Sequence, residues 1–109
     1  MSVIDKEIVD GMAVDNDEKA LRLLITDHLD WDDEYEHLLI LQDKINAYIA
    51  FCEERQYESV VNNAEIRYAI FEIHFRCEPT ANCISFLEQV QRQLSELGIK
   101  IKCHISEGK

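Results

Sequence analysis

The stretch IRYAIFEIHFRC at residues 66–77 is the clearest strand in the sequence and decides the fold. Its apolar residues recur at every second position, which is typical of a strand with one face on a hydrophobic core. The predicted core face contains Ala69, Phe71, Ile73, Phe75 and Cys77. The opposite face begins apolar and ends polar, with Glu72, His74 and Arg76.

A helix and a second strand are predicted to follow this stretch. Pro79 fits the first turn of the helix, where its missing N–H costs little, and Gly98 fits the helix end. The apolar stripe of the helix contains Cys83, Leu87, Val90, Leu94 and Leu97. Alternation then resumes, with Ile99, Ile101, Cys103 and Ile105 facing inward. Strand, helix and strand in succession predict a right-handed crossover between parallel strands.

The N-terminal half predicts a hairpin and a long helix. Strands at 9–14 and 20–26 flank a turn-like loop of five residues. Asp30 is the predicted N-cap of a helix that extends to about Glu54. Its core stripe contains Leu38, Leu41, Ile45, Tyr48, Ile49 and Cys52. Residues 57–61 fit either a short strand or a loop.

These elements predict one α+β domain over the 109 residues. We expect a two-layer sandwich, in which two helices cover one face of a mixed sheet of four or five strands. The predicted order is β-β-α-(β)-β-α-β, with the bracketed strand at 57–61.

The net charge of −11 is concentrated near the N-terminus. Residues 1–36 contain twelve acidic and three basic residues, a net of −9, whereas residues 37–109 have a net of −2. This field repels nucleic acid and anionic membranes, which both bind clustered Lys and Arg. It attracts a cation or a basic protein partner.

The sequence predicts a cytoplasmic protein. The N-terminus has neither a basic segment nor the apolar segment of a secretory signal. No apolar run approaches the roughly 20 residues that span a bilayer. Cys52, Cys77, Cys83 and Cys103 lack close pairing, and we expect them to be reduced thiols.

The segment TDHLDWDDEYEH at residues 26–37 is the candidate site, because six carboxylates and two histidines crowd a strand-to-helix junction. We predict that it binds a basic partner as part of a non-enzymatic interaction domain. The predicted contact residues are Asp27, His28, Asp30, Trp31, Asp32, Asp33, Glu36 and His37. Alternatively, these residues start the helix, and Trp31 covers one end of the core.

The alternative hypothesis for the same segment is that it forms the active site of an enzyme. A metal-dependent or acid–base mechanism would use the histidines and carboxylates between His28 and His37. The segment has no established metal-ligand spacing, and no nucleophile motif or cofactor fingerprint accompanies it. We therefore assign no catalytic residue, metal or cofactor.

A zinc cluster of His74, Cys77, Cys83 and His104 is a further possibility. Its spacing does not repeat a zinc knuckle. Strand alternation also places His74 and Cys77 on opposite faces, which makes joint ligation geometrically poor.

Two apolar groups remain after the core is assigned, and they predict self-association as a homodimer. One group lies on the long helix, about 120° from its core stripe, and contains Ile40, Ala47 and Phe51. The other lies on the sheet face away from the helices and contains Leu24, Tyr68 and Ile70.

Two motifs resemble a family of small, uncharacterised bacterial proteins, a domain of unknown function. DHLDW at residues 27–31 matches its turn, and LLILQDKINAY at residues 38–48 matches its L-L-x-L-Q-x-K-I-N-A-Y helix. The Phe86-Leu87 helix and the Gly98-Ile99 turn are also similar, so the resemblance covers most of the chain. It implies a compact domain and a bacterial source, and implies no activity.

Overall fold

The computed structural model describes residues 3–4, 8–15, 17, 19–54 and 66–105. Four strands and two helices follow one another through these ranges. In chain order they are β1 (Gly11–Asp15), β2 (Ala20–Asp27), α1 (Glu34–Glu53), β3 (Tyr68–Phe75), α2 (Ala81–Ser95) and β4 (Ile99–Ile105). The bracketed strand that the sequence allows at 57–61 lies outside the described residues.

The strands form one mixed sheet in the order β1-β2-β3-β4. The β1–β2 hairpin is antiparallel, and the two pairs that are connected through helices are parallel. This agrees with the expectation that strands joined by a helix run in the same direction. The predicted α+β fold with two helices and a mixed sheet is therefore confirmed.

One face of the sheet packs against both helices to form the hydrophobic core. Leu21, Leu23 and Ile25 alternate along β2 and are fully buried. β3 repeats this pattern with Ala69, Phe71, Ile73 and Phe75. The same cluster includes residues of both helices, namely Leu41, Ile45, Tyr48, Cys83, Leu87 and Leu94. Each large apolar side chain in this layer stabilises the fold by about 1.5–3 kcal/mol.

The other side of the sheet, called here the open face, carries the intervening residues of the strands. β2 contributes Arg22, Leu24 and Thr26, and β3 contributes Tyr68, Ile70, Glu72 and His74. β4 contributes Lys100, Lys102 and His104. The two described helices pack on the opposite side of the sheet, in the core layer.

Helix α1 begins three residues later than the sequence indicates. The Asp33 carboxylate accepts the backbone N–H of Glu36 at 3.2 Å, which makes Asp33 the N-cap. The predicted N-cap, Asp30, was wrong, because its carboxylate accepts the backbone N–H of Asp32 at 3.0 Å. That local turn uses the side chain before the helix starts.

Near the C-terminal end of α2 and along β4, several residues that the sequence places in the core are exposed. Leu97 is 53% exposed, because α2 ends at Ser95 and Leu97 lies in the following turn. Gly98 has a φ of +75°, the left-handed conformation that favours glycine after a helix. Cys103 and Ile105 are exposed although their alternation predicts burial, since β4 is the last strand of the sheet.

The four cysteines, Cys52, Cys77, Cys83 and Cys103, are free thiols. Only Cys83 is fully buried. Neither α1 nor α2 combines the length and apolarity that a bilayer-crossing helix needs.

Candidate functional site

The acidic segment lies at the carboxyl edge of the parallel strands. β2 ends at Asp27 and β3 ends at Phe75, so the polypeptide leaves the sheet at this edge after each of the two strands. Because each helix follows a parallel strand, the N-termini of α1 and α2 lie here as well.

A buried pair of titratable side chains forms the base of this region. His37 Nε2 lies 2.6 Å from Asp27 Oδ2, and neither side chain is more than 2% exposed. The second oxygen of Asp27 accepts the backbone N–H of Leu29 at 3.1 Å. His37 Nδ1 faces the backbone carbonyl of Asp30 at 2.8 Å.

These contacts restrict the protonation of the pair. A carbonyl oxygen only accepts, so His37 Nδ1 donates to Asp30. The proton shared with Asp27 then resides on Nε2, giving an ion pair, or on the carboxyl, giving a neutral pair. In both states the two ring nitrogens are used inside the protein. His37 therefore offers no nitrogen to an external substrate in this arrangement.

Trp31 covers the imidazole. The two rings stack with centroids 3.6 Å apart and an interplanar angle of 17°. The half-buried indole also contacts Phe75, and its N–H points to the carbonyl of Cys77 at 3.4 Å. The structure thus places Trp31 over one end of the core.

The other predicted contact residues are exposed. His28, Asp30, Asp32, Asp33 and Glu36 surround the start of α1 at the surface. Asp27 and His37 lie beneath them and are almost completely buried. The eight predicted residues therefore form two layers, one that supports the segment and one that faces solvent.

The exposed layer borders a shallow concavity of about 320 Å³, called here the acidic concavity. Half-buried Leu29 and Ile40 contribute apolar side chains to its lining, and Asp30, Asp33 and Glu36 contribute carboxylates. Among the residues that the structure describes, no Lys or Arg lines it. The lining residues are His28, Leu29, Asp30, Asp33, Glu36, His37 and Ile40.

Glu34, which the sequence analysis left out of the site, joins the two helix N-termini. Its carboxylate accepts from the Asn82 side chain at 3.0 Å. Hydrogen bonds from the side chains of Thr80 and then Asn82 lower the pKa of Glu34. No motif in the sequence indicates this contact, because it joins residues 48 positions apart.

A second buried polar network was also missed by the sequence analysis. Lys44 is completely buried, and its ammonium donates to Asp10 Oδ1 at 3.1 Å and to the carbonyl of Ile8 at 2.5 Å. Asp10 Oδ2 accepts both the backbone N–H and the hydroxyl of Thr26. Together these contacts join α1, β2 and the segment before β1.

Tyr48 completes this network. Its hydroxyl accepts the backbone N–H of Asp10 at 2.9 Å and donates to the carbonyl of Leu24 at 2.6 Å. Burial raises the pKa of Tyr48 and keeps the hydroxyl protonated. Every polar atom here that the structure describes has a partner, so this network is structural.

The two predicted self-association groups are more buried than the sequence suggests. Ile40 and Phe51 pack against the core, and Ala47 is half-buried. On the open face, Leu24 and Tyr68 are half-buried, but Ile70 is fully buried within the chain. Ile70 therefore offers no surface to a second copy.

The four-residue zinc cluster, which strand alternation already makes geometrically poor, does not assemble. Cys83 is buried on the core side of α2, whereas His74 and His104 are exposed on the open face. His74 and His104 instead share that face with Glu72. Within the described ranges, these three residues are the group of potential metal ligands that lie close together.

Comparison with known families gives one match. The model of a family of unknown function, DUF6572, matches residues 1–107, and the chain belongs to this family. The resemblance to a domain of unknown function is thereby confirmed over almost the whole chain. No curated protein and no solved structure matches this chain.

Proposed function

We propose that this chain is a non-enzymatic interaction domain whose acidic concavity binds a basic protein partner. The supporting observation is the combination of shape and charge at the carboxyl edge of the sheet. Asp30, Asp33 and Glu36 border a recess that also contains Leu29 and Ile40. Such a recess suits an Arg or Lys side chain of the partner.

The chemistry of these cations matches the recess. The methylene stem of Arg or Lys packs on apolar surface while its charged end remains near water. Leu29 and Ile40 offer that apolar surface, and a neighbouring carboxylate accepts charge-assisted hydrogen bonds. A guanidinium forms two parallel hydrogen bonds with one carboxylate, so Arg is the better occupant.

The carboxylates of the concavity are available to such a partner. The ion pairs of Arg22 and Lys44 lie elsewhere, with Asp10, Asp15 and Glu72. The net charge of −9 in residues 1–36 adds a long-range attraction that speeds encounter with a basic protein.

The buried layer holds the exposed layer in position. His37 binds the Asp30 carbonyl, and Asp27 binds the Leu29 N–H, so both contacts fix the backbone that borders the concavity. A surface that is already ordered loses less conformational entropy on binding. Asp27 and His37 therefore support binding without contacting the partner themselves.

The engagement of both His37 nitrogens argues for binding over acid–base catalysis at this segment. A general base needs a nitrogen within hydrogen-bond reach of the proton that it removes. His28 is the remaining histidine of the segment, and it is exposed.

Charge reversal provides the test. The site variant is Asp32→Lys/Glu36→Lys, in which Glu36 lines the concavity and Asp32 is a neighbouring exposed carboxylate of the acidic segment. The matched control is Glu88→Lys/Glu96→Lys, since these exposed residues lie away from the concavity and the charge change is equal. Proteins captured from the source cells at low and high salt are identified, and the binding of each purified candidate is measured.

We expect a basic protein that binds the wild type and the control, is released by salt, and binds the site variant at least about tenfold more weakly. Equal binding by the site variant and the wild type would contradict the proposal. Binding that is independent of salt would contradict electrostatic recognition.

Self-association through the open face is a second proposal. Leu24 and Tyr68 are partly exposed there, and Lys100 and Lys102 lie beside them. A dimer that joins two chains of net charge −11 needs cations at its contact and must avoid the acidic concavity. The open face meets both conditions.

A further inference from the structure

Three side chains with metal-ligand chemistry meet on the open face. Glu72 and His74 are two residues apart on β3, so both point to the same side of the sheet. His104 is directly opposite His74 in the parallel register of β3 and β4. This pairing brings two imidazoles and one carboxylate together from two strands.

The distances suit a shared ion. One potential ligand atom from each residue lies within 4.8 Å of those of the other two. The His74 and His104 ring centroids are 4.6 Å apart. Two ligands of a tetrahedral zinc ion lie roughly 3.4 Å apart, given Zn–N and Zn–O bonds of about 2.1 Å. Both histidines are exposed, so small side-chain rotations close the gap.

Glu72 is already oriented by its neighbours. Arg22 Nη1 donates to Glu72 Oε2, and Arg22 Nη2 donates to Asp15 Oδ2 at 3.1 Å. The Arg22 contact leaves Oε1 of Glu72 for a metal. A ligating carboxylate that is held by a second hydrogen-bonded group is common in protein metal sites, because the second group fixes its orientation.

We propose that Glu72, His74 and His104 bind one divalent transition-metal ion of the zinc class. Two imidazoles and one carboxylate favour zinc and its transition-metal neighbours over Mg²⁺ and Ca²⁺, which prefer sites made of oxygen ligands. Three protein ligands leave at least one coordination position, and it faces solvent. This site is separate from the acidic concavity and does not depend on its function.

The test is calorimetric titration of the reduced 109-residue chain with Zn²⁺. The site variants are His74→Gln and His104→Gln, which replace exposed side chains. His28→Gln is the matched control, because His28 is an exposed histidine of the acidic segment. Cys103→Ser controls for binding by an exposed thiol of β4. Co²⁺ absorption spectra of the wild type provide a readout that needs no variant.

We expect one Zn²⁺ per chain, binding at least about tenfold weaker in each site variant, and unchanged binding in both controls. Excess Mg²⁺ should leave the Zn²⁺ titration unchanged, and the Co²⁺ complex should lack a thiolate charge-transfer band. The proposal is overturned if the wild type binds no stoichiometric Zn²⁺ or if both site variants bind as the wild type does. It is also overturned if His28→Gln or Cys103→Ser abolishes binding.

Discussion

The Nε2 atom of His37 lies 2.6 Å from Oδ2 of Asp27 in the interior of the protein, beneath the stacked ring of Trp31. This contact joins the end of β2 to the first turn of α1. It fixes the loop that carries the exposed carboxylates and separates a supporting layer from a contact layer. The same short segment of sequence thus contains both a structural pair and the candidate site.

Substitutions of Asp27 should separate hydrogen bonding from charge. Asp27→Ala leaves His37 Nε2 buried without a partner, and we expect a loss of about 3–5 kcal/mol in the free energy of unfolding. In Asp27→Asn, the amide N–H can donate to Nε2 of a neutral His37. We therefore expect a smaller loss, of about 1 kcal/mol, in the free energy of unfolding. Urea unfolding measures both. Equal and small losses would show that the pair is not a structural element.

Lys44 and Asp10 should behave as one unit. Lys44→Met keeps much of the side-chain volume but leaves a buried carboxylate without its ammonium, so we expect a loss of about 3–5 kcal/mol. Adding Asp10→Asn should restore part of that loss, because it removes the unpaired charge. The exposed Lys102→Met is the control, with an expected change within about 0.5 kcal/mol.

A double-mutant cycle in urea decides this prediction. A coupling energy near zero between Lys44 and Asp10 would contradict it, because the two groups would then act independently.

The periodicity of α1 shows which part of the buried contacts of His37 and Lys44 could be predicted from the sequence. The buried positions of the helix are 37, 41, 44, 45 and 48, a regular helical face. The predicted stripe included only its apolar members and omitted His37 and Lys44. Including polar residues at inward positions would have identified both as buried. Their partners depend on tertiary contacts across 10 and 34 residues, which no local pattern specifies.

The open face shows the same difference between what periodicity predicts and what depends on tertiary contacts. Alternation along the predicted strands places His74 and His104 outward, as the structure has them. Their proximity depends on the register of two parallel strands, which the intervening helix and its packing determine. Periodicity therefore predicts the face of the sheet, whereas the three-residue cluster with Glu72 required the structure.

Alkaline pH should destabilise the fold through two thiols, those of half-buried Cys52 and fully buried Cys83. Burial raises the pKa of Cys52 to about 11 and that of Cys83 to about 12, from an ordinary value of 9.0. Above pH 9 the unfolded chain therefore loses these protons before the folded chain does. The stabilisation is complete below pH 9 and declines as the pH rises toward the folded-state values.

Chemical denaturation between pH 8 and about pH 10.5 measures this decline. The control is Cys52→Ala/Cys83→Ala, in which other titrating groups remain and the slope against pH should be shallower. Parallel curves for the variant and the wild type would contradict the prediction.

Self-association through the open face provides the last prediction. Sedimentation equilibrium at micromolar concentration should detect a dimer, and Tyr68→Glu should weaken it. A carboxylate at position 68 adds negative charge to a contact between two acidic chains, and it removes the ring that lies 5.2 Å from the Lys100 ammonium. Gln89→Glu on α2 is the control, since it changes the charge equally at an exposed residue of the other layer. Phe51→Glu is less informative, because Phe51 packs against the core and its replacement should reduce folding stability. A dimer that survives both Tyr68→Glu and Leu24→Glu would place the contact elsewhere, and a strict monomer would refute self-association.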